Sequence, residues 1–435
     1  MLKFINKDLK EKTRSCLEYL ESKDVELERF CGFENISEPE SVSNKYVLEE
    51  YNDQIIDENY IISVCLDESD FNLEMTLIEF IDLIEETKES KMIKNIKCIS
   101  NKHCLIRNKL TEINEFEEYM RISNLLEHTL EIFKIESEIK GIKFSCAIKK
   151  GITLFGILVH LANNYSDYLP SVLGEDIFIE ISFCDERLTE KQIEEIYNAY
   201  CFEIGASHGI YLTPSPRPED DFDEFDYEDS DDNDYILRPL MLGPGMMEIQ
   251  KLFNQANEVN DNPDYSIIQY TKIIENVSQT VIREGITQLA YTKLMSSKAL
   301  CPDADYIREL ETLFIENKQK YEKDKEAINA TIEKCCDIFE ISEYAPKFLD
   351  KVKNLKENIN RQNSKKEPLI KAALESLAEK ITATRNSIVH AKANYALTGK
   401  ECPEEDKTEF AKMLRIVSIQ VIRWFANISN SSKIT

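Results

Sequence analysis

Near its C-terminus the chain reads Arg385-Asn386-Ser387-Ile388-Val389-His390, inside a long stretch of helical periodicity. This spacing puts a permanent cation and a proton-transfer group on neighbouring turns of one helix, with an amide beside the cation. Cutting a phosphodiester in RNA without a metal needs three services. A base takes the ribose 2′-OH proton, a cation neutralises the crowded phosphorane, and an acid protonates the leaving 5′-oxygen. Imidazole moves protons near neutral pH. Guanidinium stays charged and grips two phosphate oxygens at once. Asn386 and His390 are four apart and share a helix face. Arg385 lies one position round, and Asn394 continues the face one turn later. One histidine cannot easily be both base and acid on opposite sides of a phosphate, so the chemistry asks for a second copy of the site, which a two-fold dimer supplies.

The spacing must be weighed against chance. With thirteen Arg and five His in the chain, an Arg followed by His after four to six residues turns up about half a time at random, whereas adding Asn directly after Arg at one fixed spacing lowers this to about 1%. Arg121 and His128 satisfy only the loose form.

Charge bounds the partners. The chain carries a formal net charge of −28, so nucleic acid and anionic membrane repel it unless basic residues gather locally. They do so just before the motif. Between Lys347 and Lys371 lie eight Lys and Arg, including Lys351, Lys353, Lys356, Arg361, Lys365 and Lys366, against only Asp350, Glu357 and Glu367. With Lys392, Asn394 and Tyr395 just past the motif, these are the expected contacts to an RNA backbone. No run of about 18 apolar residues is present, and the N-terminus lacks a signal-peptide core, so no membrane span is expected. The twelve Cys include no C-x-x-C pair. They read as reduced thiols of a cytoplasmic protein. His103-Cys104 has no partner pair at ligand spacing, and neither a metal nor a cofactor is expected.

The expected fold class is α+β: a mixed α/β N-terminal domain, residues 1–213, joined to an all-α helical bundle, residues 246–435. Residues 214–245 form the linker, with eleven carboxylates from Glu219 to Asp234. Such a run cannot bury enough apolar surface to order itself. Its acids Glu219, Asp220, Asp221, Asp223, Glu224 and Asp226, interleaved with Phe222 and Phe225, also suit a regulatory segment that mimics RNA over a basic cleft.

In the first domain, Tyr60–Leu66, Ile93–Ser100, Lys143–Ile148 and Ile177–Phe183 read as strands. Met75–Glu86, Asn114–Glu138 and Leu188–Tyr200 read as helices, the last capped by Thr189. Gly151–Leu161 reads as core, with His160 buried inside it. In the second domain, Tyr265–Arg283, the region Asp305–Ile341 and a helix opened by Pro368 carry helical periodicity. Phe410, Leu414, Val417, Val421, Trp424 and Ile428 make one continuous apolar stripe, read as bundle core over a dimer seam.

Arg-Asn-x-x-x-His is the commonest active motif of the HEPN superfamily, and the second half of this chain, about residues 260–430, resembles that superfamily. The resemblance implies a helical bundle with metal-independent endoribonuclease activity carried by Arg385, Asn386 and His390 in a dimeric composite site. It also implies that Glu275, on the first bundle helix, matches an acidic position facing the motif. Some members place Tyr two residues after the His; here that position is Lys392, and Tyr395 is the nearest aromatic. The domain order is similar to that of ApeA-like abortive-infection proteins of bacteria. It implies an antiviral effector whose residues 1–213 sense a phage trigger or bind a partner protein. Two alternatives are a CRISPR-associated CARF–HEPN ribonuclease and a non-catalytic HEPN scaffold that binds a partner protein.

Overall fold

The structure, a computed structural model, describes residues 3–23, 27–30, 55–66, 72–110, 131–150, 153–162, 176–183, 187–216, 237–258, 262–320, 323–361, 366–390 and 396–434. The architecture is α+β, with a sheet-bearing N-terminal part and a mostly helical C-terminal part. Two compact units result: Met1–Ile193 with Leu212–Pro239, and Glu194–Tyr211 with Leu240–Thr435.

The first unit opens with β1 (Lys3–Phe4), α1 (Lys7–Glu21), β2 (Leu27–Phe30), β3 (Ile55–Ile56), β4 (Ile61–Leu66), β5 (Asn72–Thr76) and α2 (Leu77–Lys88). Thr76 starts α2 through a reciprocal cap: its hydroxyl accepts from the Glu79 N–H, and the Glu79 carboxylate accepts from the Thr76 N–H. Leu9, Cys16, Leu17 and Leu20 of α1 recur at helical spacing and bury against Leu77, Phe80, Ile81 and Ile84 of α2.

Then follow β6 (Lys91–Ile93), β7 (Lys97–Ile99), β8 (His103–Leu110), β9 (Glu131–Ile139), β10 (Ile142–Lys150), α3 (Leu154–Leu161), β11 (Ile177–Phe183), α4 (Glu190–His208) and β12 (Leu212–Pro214). The order β6-β7-β8-β11-β10-β9 makes an antiparallel sheet, with β12 also paired to β8. From Glu194 onward α4 belongs to the second unit, and the chain then returns to the first as β12. The expected cap is present, since the Thr189 hydroxyl accepts from the Gln192 N–H. The helix, however, runs eight residues beyond Tyr200.

Two expectations change. The helix read over Asn114–Glu138 is overturned at its end, because Glu131–Ile139 is strand β9. Here Ile135, Ser137 and Ile139 alternate with exposed Glu136 and Glu138, a period of two. Lys140 and Gly141, both with positive φ, make the tight turn that pairs β9 with β10. Residues 114–130 lie outside the described residues. The strand read over Ile93–Ser100 is present as β7, Lys97–Ile99, but its start is a hairpin bend, with Lys94 and Asn95 left-handed between β6 and β7. Core α3 is as expected, but His160 in its last turn is only half-buried. His103 is taken up by Glu86, its Nδ1 lying 2.7 Å from Oε1. No cluster of three or more metal-ligating side chains occurs among the described residues.

The second unit continues with α5 (Met246–Glu258), α6 (Pro263–Leu294), α7 (Ala304–Lys320), α8 (Asp324–Cys335), α9 (Ile338–Tyr344), α10 (Asp350–Lys353), α11 (Leu355–Arg361), α12 (Lys366–Val389) and α13 (Lys407–Asn427). Asn262 caps α6 and Pro263 fills its first position, where a missing N–H costs nothing. One core joins α5, α6, α8, α12 and α13. Phe410, Leu414, Val417 and Val421 are each 0% exposed in the single chain. Most of the α13 stripe is therefore spent inside the bundle, where packing already removes it from water. No described helix is long and apolar enough to cross a membrane.

Candidate active site

The motif occupies the last turn of α12. The helix buries Ala373, Leu374, Leu377, Ala378 and Ile381 against the bundle. That packing turns the adjacent face, with half-buried Arg385 and Asn386, toward the surface. His390 closes the last turn by donating its N–H to the Asn386 carbonyl at 2.9 Å, and its ring is exposed. Beyond it, Lys392, Asn394 and Tyr395 lie outside the described residues, as do Lys365 and all six acids named from Glu219 to Asp226.

Three side chains hold Arg385. Its Nη1 donates to Asn386 Oδ1 at 2.9 Å, its Nε lies 3.4 Å from Glu275 Oε1, and Nη1 lies 3.8 Å from Asp324 Oδ2. Glu275 comes from α6 and Asp324 from the first turn of α8. The acidic residue that the resemblance placed opposite the motif is thus at the guanidinium. Asp324 carried no comparable signal: a carboxylate in a first helical turn is explained by the helix dipole alone, and its neighbour across the bundle is 61 residues away in sequence.

Burial raises the pKa of Glu275; Arg385 opposes this, Asp324 adds to it, and Lys272 opposes it. The sign for stability follows directly. A carboxyl whose pKa is higher folded than unfolded binds its proton more tightly when folded. Its contribution is fully present in acid and is lost as pH rises through the folded pKa. Glu275→Gln lacks this dependence. The stability difference, variant minus wild type, is therefore expected to move in the variant's favour between about pH 4 and pH 7. Urea unfolding of the helical unit, followed by the fluorescence of Trp424 at both pH values, measures it, and a constant or opposite trend refutes the assignment.

Two lysines flank the motif. Lys325, next to Asp324, and Lys400, on the loop after the motif, both pair with Glu379 of α12, at 3.4 and 2.7 Å. The Lys400 hydrogen bond holds Glu379 below the ordinary carboxylate range. The loop is tied down beside them, since the Cys402 N–H donates to the buried Thr384 hydroxyl at 2.9 Å. Sequence reading had no handle on Lys325 or Lys400, because neither belongs to a basic run.

The basic segment named from the sequence runs along α12, from beside Lys380 to the start of the helix. Lys380 donates to the Phe348 carbonyl, and Lys366 stacks over Phe339 at 5.4 Å. The chain from Lys347 through α10 and α11 therefore runs toward the start of α12. Lys351, Lys353, Lys356, Arg361 and Lys366 are exposed along it. Lys356 pairs with Glu343, and Arg361 pairs with Glu357 at 3.4 Å. At 1.5 Å per residue, Lys366 is about 28 Å along the helix axis from Arg385.

The arrangement can present one guanidinium and one imidazole at the exposed end of a bundle helix, with the guanidinium aimed by carboxylates. No family model matches this chain, and neither a curated protein nor a solved structure matches it.

Proposed function

We propose that this chain is a metal-independent endoribonuclease of the HEPN type, acting as an effector of bacterial antiviral defence from the cytoplasm. The observation that carries the reading is Arg385-Asn386-x-x-x-His390 at the exposed end of a bundle helix, with Arg385 held by Asn386 and Glu275. In this reading His390 moves the proton of the 2′-OH or of the leaving 5′-oxygen, and Arg385 neutralises the phosphorane. Glu275 and Asn386 orient the guanidinium, and a second copy supplies the other histidine. Residues 1–213 would sense a phage trigger or bind a partner protein. The test is single-stranded RNA incubated with the chain in EDTA. Cleavage leaving a 2′,3′-cyclic phosphate and a 5′-OH is expected. A requirement for divalent metal, or equal cutting of DNA, would overturn the mechanism.

A second reading has an observation of its own. Arg385 already faces two carboxylates, Glu275 and Asp324. That is how a structural cation in a non-catalytic scaffold would be satisfied. RNA left intact by wild type at high protein concentration would favour the scaffold.

RNA bound at the motif would meet Lys325 and Lys400 before Arg361 and Lys366, which lie toward the far end of α12. Alanine at Lys325 or Lys400 is expected to weaken RNA binding and to lower the salt slope of affinity by about one per contact. Alanine at Arg361 and Lys366 is expected to leave both unchanged. Titrations of labelled RNA across salt concentrations measure this. The reverse pattern would place the substrate along the basic segment.

A further inference from the structure

Helix α6 outruns its own bundle. Its last buried side chain is Val281, yet it continues to Leu294. The short turn Ser297–Leu300 and α7 fold back along this extension, forming a two-helix arm. The arm is held by Tyr306, which is 3% exposed and donates its hydroxyl to the Lys293 carbonyl at 2.9 Å, and by the ion pair Lys293–Glu309. The substantial packing of α7 is against α6 alone.

That leaves apolar side chains in water. Tyr291, Leu294, Met295, Ile307 and Phe314 are each about half exposed or more, and Leu300 is 90% exposed. Single exposed apolar residues are ordinary, but such a concentration on one hairpin is not. These side chains come from both helices of the hairpin and from the turn between them.

Charge chooses the occupant. Residues 283–320 carry six Lys or Arg and six Asp or Glu, a net charge of zero in a chain of −28. Two copies approaching through an acidic face would repel strongly. On this arm they would not. A two-fold contact there covers the apolar side chains without setting one acidic face against another.

We infer that the arm formed by the end of α6, Ser297–Leu300 and α7 is a self-association surface whose occupant is the arm of a second copy of this chain. The association itself is independent of the ribonuclease reading; only its use in building a shared His390 site rests on that reading.

The experiment is light scattering on the full chain at tens of micromolar, for wild type and for Leu294→Glu/Met295→Glu. Both positions are exposed, so the variant is expected to keep the wild-type circular dichroism and melting temperature. Wild type is expected at about twice the 50.5 kDa chain mass, and the variant at the mass of one chain. A wild type that stays monomeric, or a variant that still dimerises, overturns the proposal. Cleavage assays on the same samples separate the two ideas. If the variant is monomeric yet cleaves RNA as fast as wild type, the shared site is wrong and the self-association surface stands. If wild type dimerises through the arm but cuts no RNA, the ribonuclease reading fails alone.

Discussion

His390→Ala is expected to reduce RNA cleavage in EDTA by about 10²- to 10⁴-fold, the range that a positioned proton-transfer group contributes. His390 is exposed in the last turn of α12, so the substitution should cost little stability. Loss of activity with an unchanged melting temperature would then report on chemistry rather than folding. Arg385→Lys is expected to fail nearly as badly, although it conserves charge, because an ammonium cannot grip two phosphate oxygens in one plane. Glu275→Gln provides the graded case. It leaves the guanidinium in place but loosens its aim, so a fall in kcat with little change in KM is expected. All three are measured as initial rates on one labelled RNA. If His390→Ala retains wild-type rates, the motif is a packing feature of the bundle and the ribonuclease reading falls with it.

The second large effect lies in the other unit and concerns stability. Arg107 of β8 and Asp176, just before β11, form an ion pair at 2.6 Å with side chains 4% and 2% exposed. Arg107 also donates to the Pro216 carbonyl at 3.2 Å, tying the chain just past β12 to the sheet. Phe155 lies under the guanidinium at 5.9 Å. Asp176→Ala removes the buried carboxylate paired with a buried guanidinium. The expected cost is about 3–5 kcal/mol. Because the chain divides into two units, one unfolding curve is not a safe measure. Hydrogen exchange of β8 and β11 amides is the direct one, and protection there should fall while α12 and α13 are unaffected. The sole tryptophan, Trp424, sits on α13 and gives an independent signal for the helical unit. A cost below about 1 kcal/mol would mean that water or a neighbouring group takes over the role of Asp176.

Local pattern along the chain was enough for whatever depends on near neighbours. Periodicity placed α13, α12 and the core of α6. Alternation placed β11 residue for residue, and cap chemistry placed the start of α4. The Arg385–His390 motif was legible because all of its members lie within two turns of one helix. The tertiary structure decided what depends on residues far apart. Glu131–Ile139 is a strand because β10 is there to take its hydrogen bonds, and a window of mixed periodicity contains no partner. Glu275, Asp324, Lys325 and Lys400 surround the motif because three helices and a loop converge on it. Their separations in sequence exceed anything that local pattern can encode; Glu275 was pointed to only by the family resemblance. The dense basic segment before α12 looked near the motif because it is near in sequence. Its last part, at Lys366, opens the 24-residue helix whose other end carries the motif, and at 1.5 Å per residue that length holds the two apart.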